Sequence, residues 1–170
     1  MDIGVIMICM DYHPVTTQIV SLLKQNSLWF ETFEHEAVRT SEDAAKVRHG
    51  YTLEQGAKAL IMRMKANGQR EFIMFVMPAH LRLDSKKAKL YLQTKDLRFA
   101  TEDEISRITS GVLVGGVPPF GNIFSIKTIV DPALFLNEKI VFNAGDRRYS
   151  VAMLSQDYKN IVNPAVAGIT

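Results

Sequence analysis

The chain of 170 residues is long enough to bury a substantial core and fits a single domain over 1–170. The composition, with 47% hydrophobic and 22% charged residues, is that of a globular protein and argues against a largely disordered chain. The sequence has no internal repeat or low-complexity tract, which excludes a repeat protein. A net charge of +2 does not favour a protein that grips long duplex DNA, but it leaves open a short contact with a single-stranded RNA end.

The N-terminal run "IGVIMICM" is apolar but too short to span a bilayer. It has no basic segment before it and no small-residue cleavage site after it, so we do not expect a signal peptide. We expect a buried first strand, or an extension particular to this chain over 1–15. Cys9 is the only cysteine, which excludes an internal disulfide and suits the reducing cytoplasm. We expect Cys9 to be buried, and the protein to be cytoplasmic with no membrane partner.

The next part of the chain shows alternating helix and strand signals. Thr16 and Thr17 offer an N-cap to an amphipathic segment, an aromatic-rich alternating segment follows, and two capping-box patterns then open short helices. The predicted elements are a helix at 16–26, a strand at 28–35, and helices at 41–48 and 53–57.

The middle of the chain predicts a hairpin and two helices. Two apolar runs flank the turn signal Asn67-Gly68, which predicts paired strands at 58–65 and 71–77. Asp84 then caps the basic helix "SKKAKLYL", and a capping box, Thr101 with Glu104, opens "EDEISRIT".

The last part predicts a strand in "SIKTIVD", a helical turn in "PALFLNE", a hairpin formed by "KIVFNAG" and "YSVAML", and a closing helix in "SQDYKNIV". Helices and strands are interleaved, but hairpins occur among them. The pattern therefore predicts an α+β fold with a mixed sheet rather than an all-parallel one.

The loop "SGVLVGGVPPFGN" at 110–122 combines two adjacent glycines with two adjacent prolines. Glycine permits positive φ and close backbone approach, whereas proline fixes φ and has no N–H, so the loop has an enforced shape. By itself this composition is typical of a buried turn between two strands.

Familiar catalytic and metal motifs are absent from the sequence. The histidines at 13, 35, 49 and 80 never have the spacing of a helical metal pair, and we expect no metal and no cofactor. The sequence has no nucleophile elbow, P-loop or dinucleotide fingerprint. These absences exclude the usual serine hydrolases, nucleotide hydrolases and dehydrogenases.

Several charged residues allow a functional and a structural interpretation. Lys58 begins an apolar strand, where its charge requires a partner or ligand unless the side chain extends to solvent. Asp131 and the segment "NAGDRR" are also typical of ordinary turns between strands. The basic residues Lys86, Lys87 and Lys89 are typical of a solvated helix face, although they can also contact an RNA backbone.

Taken in order, six segments resemble the YbaK and prolyl-tRNA-synthetase-associated editing-domain family over about residues 30–160. They are "FEHEAVRTSEDAA", "GAKALIMR", "FVMPAHLRLDSKKA", "ATEDEISRITSGVLVGGVPPFG", "TIVDPALF" and "IVFNAGDRRYSVAM". The resemblance is to the free-standing members. It implies an α+β fold with a curved, partly barrel-like mixed sheet surrounded by helices, and hydrolysis of the ester that joins a wrong amino acid to tRNA.

The resemblance also implies site residues. Lys58 matches the family lysine that is expected to hold the terminal adenosine or its phosphate. The segment Gly115, Gly116, Val117, Pro118 and Pro119 matches the G-x-x-x-P loop, whose backbone holds the aminoacyl group and positions the attacking water. Gly115 and Gly116 are thus expected to take part in catalysis with Lys58, and the rest of the loop to bind substrate.

Further substrate-binding residues follow from the same resemblance. Asp131, together with the turn from Asn143 to Gly145 and Arg147 beyond it, is expected to line the pocket, with His35 at its mouth. Many relatives have serine or another small residue where Pro118 stands. Proline offers neither a hydroxyl nor an N–H, so a mechanism that uses either group at 118 is not available to this chain.

The expected partner is the 3′ acceptor end of a mischarged tRNA, and no DNA is expected. Two alternatives remain: a non-catalytic module of the same fold that binds a tRNA end or a protein, and a basic helix at 85–92 that docks an aminoacyl-tRNA synthetase. The sequence does not identify the amino acid removed.

Overall fold

The computed structural model describes residues 11–66 and 68–170. The strand predicted in the N-terminal run, and Cys9 within it, lie outside the described residues. The helices are α1 (Pro14–Gln25), α2 (Ser41–Val47), α3 (Ser85–Leu92), α4 (Glu102–Ile108) and α5 (Ser155–Val162). The strands are β1 (Phe30–Glu34), β2 (Ala57–Ala66), β3 (Gln69–Pro78), β4 (Leu97–Phe99), β5 (Lys127–Val130), β6 (Lys139–Asp146), β7 (Tyr149–Leu154) and β8 (Ala165–Val166), with 3-10 helices at Gly121–Phe124 and Pro132–Leu136.

The strands form two sheets. One is antiparallel, in the order β1-β7-β6, and the other has the order β4-β2-β3-β5-β8, with antiparallel and parallel neighbours. An isolated bridge joins Gly56, just before β2, to Val141 of β6, whose N–H donates to Gln55 O at 2.9 Å. The α+β class with a mixed sheet is confirmed, although the described strands close no barrel. The bridge brings the start of β2 against the β6-β7 hairpin.

Most predicted helices and strands are present within a few residues of their predicted bounds, but two local interpretations are wrong. The N-cap of α1 is His13, whose Nδ1 accepts from Val15 N–H at 3.2 Å, because Pro14 opens the helix. Residues 53–57 do not form a helix. Gly56 N–H closes a turn onto Leu53 O at 3.1 Å, and the chain then enters β2.

Two short strands, β4 and β8, were not predicted. β4 has three residues and pairs with β2, and β8 has two and pairs with β5. Each is held by a neighbour distant in sequence rather than by its own periodicity. No helix among residues 11–66 and 68–170 has both the length and the apolarity needed to cross a bilayer.

An aromatic cluster in the main core anchors the glycine-proline loop. The ring of Phe120 lies 5.4 Å from that of Phe142 and 5.5 Å from that of Tyr158, and all three side chains are fully buried. The Tyr158 hydroxyl donates to Pro119 O at 2.7 Å. Burial of three aromatic side chains stabilises this region by several kcal/mol, on the order of 2 kcal/mol for each one. The C-terminal end of the loop is therefore fixed by the core.

A second stabilising feature is the carboxylate of Glu104 in α4. It completes a capping box with Thr101 and accepts from both terminal nitrogens of Arg98, at 2.9 and 2.8 Å, while Arg63 lies at 3.5 Å. The hydrogen bonds from Arg98 and from the backbone of Thr101 hold the pKa of Glu104 down at about 2.

We expect the Glu104 carboxylate to make the stability of the fold sensitive to acid. Because the pKa of Glu104 is lower in the folded protein than its value of about 4.3 in an unfolded chain, the ion pair stabilises the fold above that pH. The contribution is lost as pH falls towards 2. We expect the urea midpoint to decrease between pH 5 and about 2, and Glu104→Gln to flatten that decrease. The exposed Glu71→Gln is the matched control. An unchanged pH profile in Glu104→Gln would contradict the prediction.

Candidate active site

A cavity of about 420 Å³ lies where the start of β2 faces α2 and the glycine-rich loop. Small and apolar side chains dominate its walls, together with the charged residues Arg39, Arg48, Lys58 and Glu102. The lining residues are Arg39, Thr40, Ser41, Ala44, Arg48, Gly56, Ala57, Lys58, Ala59, Leu60, Ile61, Ala79, Phe99, Ala100, Glu102, Ile105, Val114, Gly115 and Val117. The volume is within the range of sites that enclose a small molecule.

Lys58 is half-buried in this cavity and does not extend freely into solvent. Its Nζ donates to Leu81 O at 2.6 Å and to Ala79 O at 3.3 Å, both on the segment that follows β3. Burial lowers the pKa of Lys58, the nearby Glu42 raises it in part, and Arg82 lowers it further. Because an ammonium has three N–H donors, one remains for a ligand in the cavity.

Gly115 also lines this cavity and adopts a backbone conformation suited to glycine. Its φ is +91°, and a Cβ there would lie 2.9 Å from Arg39 O. The turn is closed by Gly116 N–H, which donates to Leu113 O at 2.8 Å. Asn143 Nδ2 donates to Gly115 O at 2.6 Å. Both polar groups of the peptide between the two glycines are therefore engaged, so that the loop is rigid here.

The β6-β7 hairpin holds the loop from its other side. Gly145, with φ at +95°, donates its N–H to Gly116 O at 2.9 Å, and a Cβ on it would lie 2.8 Å from Val15. Arg147 Nε donates to Val114 O at 2.7 Å, and its Nη2 contacts the same oxygen. Gly116, Gly145 and Arg147 line a second, more open cavity of about 700 Å³ rather than the first. Their contribution to the first cavity is to fix its wall.

A buried polar network lies beneath Gly115. Arg48 Nη2 donates to Asn143 Oδ1 at 2.8 Å, and Arg48 Nε donates to Ser150 Oγ at 3.0 Å. His35 Nε2 lies 2.7 Å from the same hydroxyl. His35 thus reaches the site through Ser150 and does not line the cavity. Burial lowers the pKa of Arg48 to about 10.

The sequence interpretation did not identify Arg48 or Ser150. Both side chains are polar and buried, and Arg48 lies 95 and 102 residues from its acceptors Asn143 and Ser150 in the sequence. Nothing in the local pattern around either residue distinguishes it from a solvated neighbour. Only the pairing of β6 with β7 and the position of α2 bring them together.

Pro118 and Pro119 are buried and belong to the anchor of the loop rather than to the cavity lining. Pro118 O accepts from Phe120 N–H at 2.8 Å, and Pro119 O accepts from Tyr158. The prolines therefore set the path of the chain between the cavity wall and the aromatic core. Val117, immediately before them, does line the cavity.

Asp131 is not in the cavity lining, contrary to the expectation from the resemblance. Its carboxylate accepts from Ala133 N–H at 2.9 Å, from Ile169 N–H at 2.9 Å, and from the N–H and hydroxyl of Thr170 at 3.1 and 2.9 Å. Although burial opposes ionisation, these hydrogen bonds keep the pKa of Asp131 below its usual value. Asp131 joins the end of β5 to the C-terminal residues through Oδ2, while Oδ1 caps the following 3-10 helix.

The cavity presents donors rather than a nucleophile and base. Among residues 11–66 and 68–170, the N–H groups of Gly115 and Val117 have no protein acceptor. Lys58, Arg48 and Arg39 add positive charge, and Glu102, the carboxylate in the lining, lies 3.4 Å from the exposed Arg39. The described residues contain no group of three His, Cys, Asp or Glu side chains placed to hold a metal ion. Such a site can stabilise negative charge on a bound carbonyl oxygen.

Comparisons with known proteins match most of the chain. The model of the aminoacyl-tRNA editing domain matches residues 35–161. The chain is 32% identical over 148 residues to the multifunctional Ser/Thr-tRNA deacylase ProXp-y of Escherichia coli strain K12, covering 86% of this chain and 87% of the relative.

Solved structures share the fold. A crystal structure of a candidate trans-editing enzyme for prolyl tRNA synthetase superimposes with a TM-score of 0.78 at 22% identity, covering 94% of this chain and 99% of that chain. The crystal structure of a hypothetical protein gives a TM-score of 0.78 at 22% identity, with 89% and 98% covered. The family resemblance predicted from six ordered segments is thereby confirmed, and the chain belongs to the aminoacyl-tRNA editing domain family.

Proposed function

We propose that this protein hydrolyses the ester of a mischarged tRNA in trans, and that the cavity between α2, β2 and the glycine-rich loop receives the aminoacyl end. The activity class predicted from the sequence, an aminoacyl-tRNA deacylase, is confirmed by the family and by the deacylase from Escherichia coli. The observation that carries the site assignment is that Lys58 and Gly115, 57 positions apart in sequence, line one and the same cavity.

The size of a tRNA sets the direction of entry. Only the aminoacyl group and the last nucleotide fit a cavity of about 420 Å³, so the amino acid enters first and meets the deepest residues. The ribose and terminal base then lie nearer the rim. Phe99 is at that rim with 57% of its surface exposed, and an exposed aromatic ring is suited to stacking on a nucleotide base.

Lys58 and the loop have separate roles in this arrangement. The remaining N–H of the Lys58 ammonium binds the terminal adenosine or its phosphate, as the family resemblance implies. Gly115 and Val117 present N–H groups to the carbonyl oxygen as it gains negative charge. Gly116, Asn143, Gly145 and Arg147 keep this wall in place through the hydrogen bonds described above.

The reaction needs little further machinery because an aminoacyl ester is already activated. A water molecule adds to the carbonyl carbon, the ester C–O bond breaks, and the ribose oxygen leaves with a proton. The products are the free amino acid and uncharged tRNA. The neighbouring ribose hydroxyl can relay the proton, so that positioning and oxyanion stabilisation suffice without a catalytic triad. Pro118 shapes the loop and donates nothing to the reaction.

The substrate class follows from the Escherichia coli relative. That protein is a Ser/Thr-tRNA deacylase, so seryl and threonyl esters are the first substrates to test. Both are small amino acids, and the small side chains of Ala44, Ala57 and Ala79 leave room for them. Editing is needed for such amino acids because binding alone discriminates poorly between similar small side chains.

A panel of tRNAs, each charged with one amino acid, tests the proposal. We expect hydrolysis of seryl or threonyl esters well above the spontaneous rate, measured as loss of acid-precipitable labelled amino acid. If no ester in the panel is lost faster than in buffer, the catalytic proposal fails. Binding of tRNA without turnover would then favour the non-catalytic module.

A further inference from the structure

Arg48 is a buried cation whose partners carry no negative charge. Its exposed fraction is 6%, and it lines the cavity with other buried residues such as Ala44 and Ala57. The acceptors that it meets among the described residues are the Ser150 hydroxyl and the Asn143 amide oxygen, both neutral. Burying a guanidinium without a counter-ion costs free energy, and pure structural roles are more often filled by neutral or paired groups.

The guanidinium of Arg48 also has N–H groups that are not hydrogen-bonded to the protein. Of its five N–H groups, one on Nε and one on Nη2 are bound to the network, and Nη1 has no acceptor within residues 11–66 and 68–170. Nη1 lies beside Gly56, where an added Cβ would be 4.0 Å away. Among the described residues, Nη1 is not one of the fully buried polar atoms that lack a partner, so it keeps accessible surface in a cavity that Arg48 lines with the small residues Ala57 and Ala79.

We propose that Arg48 determines specificity by donating a hydrogen bond from Nη1 to the side-chain hydroxyl of the aminoacyl group. This inference rests on the proposed function, which puts the amino acid deepest in the cavity. Arg48 is the buried cation of the lining, whereas Lys58 is half-buried and Arg39 is exposed. The neutral acceptors Ser150 and Asn143 hold the guanidinium in place without neutralising it, so its donors stay available to a substrate oxygen.

The effect of this hydrogen bond can be measured by comparing two esters on the same tRNA. Seryl-tRNA and 2-aminobutyryl-tRNA differ only in the replacement of the side-chain hydroxyl by a methyl group of similar size. A site built to bind a hydroxyl rejects the analogue that lacks it, because its donor is then left unpaired. We expect the wild type to hydrolyse the seryl ester about ten times faster or more, as measured by kcat/KM.

Arg48→Met tests the source of that preference. It keeps the length of the side chain and removes every donor, so we expect the ratio of seryl to 2-aminobutyryl hydrolysis to approach one. Arg70→Met, at an exposed position on β3, is the matched control and should keep the wild-type ratio. A ratio in Arg48→Met equal to that of the wild type would overturn the proposal.

Thermal unfolding shows whether Arg48→Met folds. If it does not fold, the ratio of the two hydrolysis rates in the wild type tests the role of Arg48. Equal hydrolysis of the two esters by the wild type would overturn the role of Arg48 while leaving the deacylase proposal intact. Faster hydrolysis of an aspartyl ester than of the seryl ester would overturn the hydroxyl assignment. Hydrolysis of none of the esters would defeat the proposed function and this inference with it.

Discussion

Replacing Lys58 with methionine is expected to lower kcat/KM for deacylation by about a hundredfold. The ammonium is half-buried in the cavity and retains one N–H for the substrate, so its removal eliminates a charge-assisted hydrogen bond worth about 2 to 3 kcal/mol. Each 1.4 kcal/mol corresponds to a factor of ten. Single-turnover hydrolysis of the best ester in the panel measures the effect.

A matched lysine separates this effect from a general loss of positive charge. Lys86→Met removes the same charge from the exposed face of α3, and we expect it to retain the wild-type rate within about twofold. If both variants lose activity equally, long-range attraction of tRNA explains the result and the cavity role of Lys58 is wrong. If Lys58→Met weakens tRNA binding in a protein that has no turnover, the non-catalytic alternative gains support.

Lys58 also has a structural contact that must be controlled. Its removal leaves Ala79 O and Leu81 O without their donor, although both lie near the cavity where water can replace it. Lys58→Arg retains donors for these oxygens and serves as the conservative variant. We expect it to unfold at the wild-type temperature and to recover part of the rate. A rate loss that merely follows the fraction unfolded would contradict a role in substrate binding.

Asp131→Ala is expected to destabilise the protein by about 3 kcal/mol. The substitution removes the acceptor for two buried or partly buried N–H groups, at Ile169 and Thr170, and for the Thr170 hydroxyl. It also removes the N-cap of the 3-10 helix at Pro132–Leu136. Each buried donor left without an acceptor costs about 1 to 3 kcal/mol, and these costs account for the expected loss of stability. Urea unfolding should show a lower midpoint with little change in slope.

Activity distinguishes this structural role from the role implied by the family resemblance. Because the Asp131 carboxylate is directed at the C-terminal residues, we expect the deacylation rate per folded molecule to stay within about twofold of the wild type at low temperature. The exposed Asp96→Ala is the control and should change the free energy of unfolding by less than about 0.5 kcal/mol. An Asp131→Ala protein of normal stability and greatly reduced rate would restore Asp131 to the site.

Local signals predicted the elements that depend on neighbouring residues. Asp84 accepts from the N–H groups of Lys86 and Lys87 and so begins α3, and Thr101 and Glu104 form the complete capping box that begins α4. The Asn67-Gly68 signal correctly predicted the β2-β3 hairpin. In each case the interacting groups are within a few residues of one another, so the sequence contains the whole interaction.

The same reasoning failed where a local signal competed with a distant one. Half of a capping box is present at the start of the segment 53–57, since Thr52 N–H donates to Gln55 Oε1 at 3.0 Å. The segment is nevertheless a turn, because Gly56 pairs with Val141 and leads into β2. The fold imposes that bridge, and a single turn of helix is too weak by itself to resist it.

By itself, the sequence determined the α+β class, the family and the composition of the glycine-proline loop, because periodicity, caps and ordered motifs are written within short stretches of chain. Only the tertiary structure decided which residues share the cavity. It placed Lys58, Gly115 and Arg48 in the lining of one cavity and directed Asp131 to the C-terminal residues. The physical reason is that hydrogen bonds between residues about 40 to 100 positions apart depend on sheet pairing and burial, and these leave no local pattern in the sequence.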